Sequence, residues 1–144
     1  MKVLFDTSAL MALFVSKHPN HKAAINYFLD AKKNNATFYI CTHTIAEFYR
    51  NLTSGRKYLN YSSAMAHRLI TESITEHFTA VSLDVNDYVA VVNQMKKASL
   101  HGAIIYDGLI ARASSRVNAD FLVTYNVEDF QRVWQLTSSK LVEP

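Results

Sequence analysis

Short apolar runs alternate with longer stretches of helical period along this chain, and that alternation constrains the fold more than any other feature. KVLF (2–5), TFYIC (37–41), TAVS (79–82) and FLVT (121–124) read as strands, with a last one expected near 140–142. Between them, helical spacing covers about 8–16, 20–33, 43–54, 62–76, 85–99, 104–117 and 127–133. Residues able to cap stand at these helix starts: Thr7 or Ser8, Asn20, Thr42 or Thr44, Ser62, Asp84 and Asn126. TSGRKYLN, 53–60, holds Gly55 and breaks the period, so it is read as a loop. The repetition predicts an α/β domain with a mainly parallel sheet.

A chain of 144 residues suits one domain, 1–144, able to bury a core without disulfides or structural metal. The single Cys41 excludes an internal disulfide and a cysteine-cluster zinc site, and it suits a reducing cytoplasm. MKVLF meets Asp6 at once, which leaves no signal peptide, and no run approaches a membrane span. The expectation is a soluble cytoplasmic protein with no membrane association. A net charge of +3 favours polyanionic partners only weakly.

Ligands of parallel α/β sheets bind beyond the carboxyl ends of the strands, so acids at those ends come first. Asp6 directly follows KVLF, and Asn126, Glu128 and Asp129 closely follow FLVT. Asp6 has a structural explanation as the cap of the helix near Ser8, and Asn126 or Asp129 as the cap of the one that follows. Glu47, in THTIAEFYR after the second strand, stands three residues from Thr44, the spacing of a capping box, and three from Arg50, a pairing distance on a helix. Its helix starts on the same sheet edge as Asp6.

Asp107 is harder to explain structurally. In IIYDGLIAR (104–112) its neighbours one turn away are Ala103, Ile104, Ile110 and Ala111, none of which pairs with a carboxylate. An unpaired buried acid normally protonates, and a helix dipole offsets only ~0.3–1 kcal/mol. A divalent cation supplies more. Magnesium and manganese prefer oxygen ligands and are held by one or two carboxylates plus substrate phosphate, which suits metal-assisted phosphodiester cleavage.

Four segments, VLFDTSAL (3–10), Thr44 with EFYR (47–50), IYDGLIA (105–111) and LVTYNVEDF (122–130), resemble in order the motifs of the PIN domain, from Met1 to about Trp134. The resemblance implies a three-layer α/β/α sandwich with a central parallel sheet and Mg2+- or Mn2+-dependent ribonuclease activity. At this size it looks most like a VapC-type toxin of a toxin–antitoxin pair, a homodimer inhibited by a small VapB-type antitoxin. Position by position, Asp6, Glu47 and Asp107 match the first three acids, with Ser8 and Thr124 supporting the site. Asn126 stands where many members have Asp. Glu128 or Asp129 can substitute, or Asn126 can bind through its amide oxygen, which leaves a second metal open. The implied mechanism has Asp6 and Asp107 hold the metal while Glu47 completes its sphere or orients water.

Arg50, Arg56 and Lys57 are interleaved with Tyr49, Tyr58 and Tyr61, a pattern that either grips RNA phosphates and stacks on unpaired bases or forms a solvated turn over a core edge. Arg112 and Arg116 either reach RNA or an antitoxin acid, or lie on an exposed helix face. The six histidines show no zinc spacing and receive no metal role. A non-catalytic PIN scaffold that binds RNA or a protein is the competing class. A magnesium phosphatase ranks lower, because the first strand is followed by D-T-S rather than D-x-D.

Overall fold

The alternation of runs becomes five strands: β1 (Lys2–Phe5), β2 (Thr37–Cys41), β3 (Thr79–Val81), β4 (Phe121–Val123) and β5 (Lys140–Val142). A computed structural model describes residues 1–133 and 136–144. All strands pair in parallel, in the order β3-β2-β1-β4-β5. β1 is central, and the strand order reverses between β1 and β4, the topological switch point where such sheets bind ligands.

The three inner strands, β1, β2 and β4, are buried on both faces, as parallel sheets require, while β3 and β5 at the edges are more exposed. Val3, Phe5, Phe38, Ile40 and Val123 point to one apolar cluster, while Leu4, Cys41 and Leu122 point to the other. The first cluster is covered by α1 (Thr7–Phe14), α2 (His21–Lys33), α3 (Thr42–Leu52) and α4 (Ser63–Arg68). The second is covered by α6 (Val85–Ala98), α7 (Ile104–Arg116) and α8 (Val127–Arg132). The result is the expected three-layer sandwich.

Several local expectations are corrected. The helix expected over 62–76 runs from α4 through a π-helical segment, Leu69–Ile74, into α5 (Thr75–His77). Asp6, not Thr7 or Ser8, caps α1 through Ala9 N. α3 starts at Thr42 with no side-chain cap, so Thr44 and Glu47 form no capping box. Asn20 and Asn126 occupy cap positions without side-chain cap bonds. Ser62 and Asp84 do cap their helices, and Asp84 forms a capping box with Asp87.

Gly108 sets the seating of α7. A Cβ there would come within 3.0 Å of Val91 and 3.1 Å of Met95 on α6. The absent side chain lets α7 approach α6 closely, with Asp107 one residue away. Arg112 and Arg116 of α7 then clamp the pair: Arg112 Nε donates to Asp87 Oδ1 at 2.9 Å, and Arg116 bonds both Asp87 and Asp84.

Candidate active site

Three consecutive residues after β1 tie three chain segments together. The Asp6 amide continues the ladder beyond β1 by donating to Val123 O at 3.0 Å. Its side chain is 1% exposed and fully engaged: Oδ1 accepts from Ala9 N (2.7 Å) and Ser8 Oγ (2.8 Å), and Oδ2 accepts from Thr124 Oγ1 (2.7 Å). Both hydroxyls also receive main-chain donors from the turn after β4, Tyr125 N on Ser8 Oγ at 2.9 Å and Asn126 N on Thr124 Oγ1 at 2.8 Å. The turn's amides thus fix the hydroxyls, and the hydroxyls fix Asp6 across the switch point. Between them in sequence, Thr7 Oγ1 donates to Glu47 Oε2 at 2.7 Å.

Glu47 stands on the second turn of α3, and this Thr7 bond replaces the pairings expected for it. Arg50 turns away to Asn51 Oδ1 at 3.4 Å. His43, one turn earlier, brings Nε2 to 3.7 Å from Glu47 Oε2. Asp107 lies in the first turn of α7 and has no hydrogen-bond or ion-pair partner among the described residues, as its helical neighbours foretold.

The electrostatics show which acids share a neighbourhood. Burial pushes the Asp6 carboxyl up to about 6 against the pull of its hydrogen bonds, and the Glu47 charge adds to the rise. Burial also lifts Asp107, to about 7, with further contributions from the charges of Asp6, Asp129 and Glu47, offset in part by Arg132. Asp129 therefore joins the three expected acids, although it also pairs with Arg132 at 3.4 Å. Asn126 and Glu128 are exposed, and Glu128 is not among the charges acting most on Asp107.

Among the described residues no three His, Cys, Asp or Glu side chains are drawn into a finished metal cage. The fold instead gathers carboxylate oxygens around an unpartnered acid, with the His43 imidazole at the Glu47 edge. That donor set fits a hard divalent cation, which retains several waters and needs few carboxylates.

Outside the acids, Lys17, Lys57, Tyr58, Asn60 and Tyr61 line a cleft of about 540 Å³. Arg56 and Lys57 are exposed, while Tyr58 and Tyr61 rest partly on the core, so the basic loop is both a surface and a core edge. The His18 ring approaches that of Tyr125 at 6.3 Å, linking this side of the molecule to the turn that holds Ser8. Arg112, expected at RNA, is instead engaged with Asp87, since a nearly buried carboxylate on the adjacent helix is the stronger partner. The sequence marks Thr7 only as a candidate helix cap and gives His43 no role; Thr7 sits inside VLFDTSAL, and His43 is one helical turn from Glu47.

The family pattern described as PIN domain matches residues 3–134. The chain belongs to the PIN domain family. Ribonuclease VapC27 of Mycobacterium tuberculosis (strain ATCC 25618 / H37Rv) is 29% identical to this PIN domain over 115 residues, covering 80% of this chain and 78% of that protein. Among solved structures, VapBC2 from Rickettsia felis, bound to a DNA fragment from its promoter, aligns with a TM-score of 0.70 at 20% identity. That alignment covers 100% of this chain and 99% of the other. VapBC-1 from nontypeable Haemophilus influenzae aligns with a TM-score of 0.62 at 20% identity, covering 99% and 98%. These likenesses concern the fold. Among the described residues no helix is long and apolar enough to cross a membrane.

Proposed function

We propose that this PIN domain is a toxin nuclease of a VapBC-type toxin–antitoxin pair, a divalent-metal-dependent endoribonuclease held in check by a VapB-type antitoxin. The family and the VapC ribonuclease relative support the nuclease class. The observation that carries the mechanism is the pairing of opposites at the sheet's switch point: Asp6 accepts from three donors, Ser8, Ala9 and Thr124, and Asp107 accepts from none among the described residues.

Asp6 and Asp107 are the residues to hold Mg2+ or Mn2+, with Glu47 completing the sphere or orienting a water and Asp129 the nearest substitute at the fourth position. When bound, the ion lowers the pKa of a coordinated water and offsets negative charge growing on the phosphate. Ser8 and Thr124 keep Asp6 in one rotamer, and Thr7 does the same for Glu47. Arg56 and Lys57 supply phosphate contacts, and Arg50 and Tyr58 extend that surface. No side-chain nucleophile is required.

Self-association is assigned to α6, where Val85, Tyr88, Val89 and Val92 form an exposed apolar stripe at helical spacing. Val89→Asp is expected to delay gel-filtration elution if that stripe joins two copies. The nuclease itself is tested with purified protein and RNA: cleavage with Mg2+ or Mn2+ that stops on chelation is expected. Calorimetry that detects no Mn2+ binding, together with no cleavage, favours a non-catalytic scaffold.

A further inference from the structure

Two aromatic rings at the margin of the acids have no part in the chemistry above. His43, one turn before Glu47, and Tyr106, immediately before Asp107, lie face to face with centroids 4.6 Å apart and planes 14° from parallel. His43 Nε2 is buried without a hydrogen-bond partner, and its 3.7 Å separation from Glu47 Oε2 exceeds hydrogen-bond reach. An imidazole placed only to fill space would gain by satisfying that nitrogen. The close contact it does make is the stack on Tyr106.

Tyr106 is 43% exposed and belongs to neither apolar cluster. With His43 stacked on one face, the exposed remainder of Tyr106 is left for contact from solvent. A braced aromatic ring thus belongs to the residue next to Asp107 and rests on the imidazole that approaches Glu47.

We propose that Tyr106, braced by His43, is a stacking platform for an unpaired RNA base next to the scissile phosphate. The proposal rests on the ribonuclease assignment and adds the residue that receives a base beside the cut. A phosphodiester at the acids carries bases on its flanking sugars, and an unpaired base has a π-face free to stack on an aromatic side chain. Bases inside a duplex have both faces covered by their neighbours, so the platform selects single-stranded or looped RNA. Because the ring is already held parallel to His43, little side-chain freedom is lost on binding. The phenol hydroxyl has no role in this contact.

Single-stranded RNA carrying 2-aminopurine at successive positions reads stacking directly in the presence of Mn2+, and cleavage is followed on the same oligonucleotide. Wild type and Tyr106→Phe are expected to quench the probe at one position beside the cut. Tyr106→Ala loses the quenching and binds about tenfold more weakly, and Tyr106→Leu, which keeps apolar bulk without a π-face, behaves likewise. His43→Ala gives a smaller loss. Equal quenching and affinity in wild type and the folded Ala or Leu variant overturn the platform, as does a wild type that quenches at no position. Quenching by wild type without cleavage overturns the nuclease assignment and leaves the platform standing.

Discussion

Asp6 and Asp87 are almost equally hidden, at 1% and 3% exposure, and each accepts a main-chain N–H near the start of a helix. Their carboxyls move in opposite directions. Asp87, gripped by Arg112 and Arg116, is drawn down to about 2 despite its burial. Asp6, surrounded by hydroxyls and an amide with Glu47 nearby, is pushed up to about 6, and burial is the main cause. Hydrogen bonds from neutral donors fix a carboxylate in place but do not cancel its charge; cations do both. One acid is neutralised by arginines of the chain itself, and the other, together with Asp107, is where the proposed function places a divalent cation.

The largest expected effect comes from removing charge where no cation is supplied by the chain. Asp107→Asn should lower RNA cleavage about 10³-fold or more, as the loss of several kcal/mol of metal-assisted stabilisation implies, while metal-free thermal stability holds or rises. Full activity in that variant would falsify the mechanism. Asp87→Ala is the mirror case, with a predominantly structural cost. It should destabilise by about 2–4 kcal/mol in denaturant unfolding, below the upper range for buried pairs because both arginines reach solvent.

Protonation sharpens the contrast. Asp6 and Asp107 bind protons more tightly in the folded than in the unfolded chain, so their contribution to metal-free stability is full below about pH 4. It is lost as pH rises through about 6 and 7. Asp87 has the opposite sign: its contribution is present above about pH 4 and is lost as pH falls through about 2. Thermal unfolding of metal-free protein should therefore weaken on both sides, and added Mg2+ should restore stability more at pH 8 than at pH 5. The smallest effect is expected for Ser8→Ala, which removes one neutral donor from Asp6. Cleavage should fall about tenfold at saturating Mg2+, with the fold retained.

Much of the fold was readable because its signals are local. The short apolar runs and the period-3.6 stretches predict five strands and nearly every helix, with ends shifted by a residue or two. The long helix expected over 62–76 was interrupted by a π-helical segment that apolar spacing did not reveal. The acid motifs were visible as acids at strand ends and on one unusually apolar helix. Partner choice was less legible. Glu47 seemed placed for Thr44 and Arg50, yet it is held by Thr7, 40 residues earlier, because α1 and α3 pack against each other. Arg112 seemed free for RNA until α6 placed Asp87 beside it, 25 residues earlier in the chain.

The sequence alone determined that strands and helices would alternate, that acids would gather at the strand ends, and that Asp107 would find no partner on its own helix. Helical geometry settles that last point without reference to the rest of the molecule. Only the tertiary structure decided which buried carboxylate would be neutralised and which would not. Charge pairing depends on residues tens of positions apart, brought together by sheet order and helix packing. The same packing laid His43 against Tyr106, a contact between α3 and α7 that no local spacing encodes.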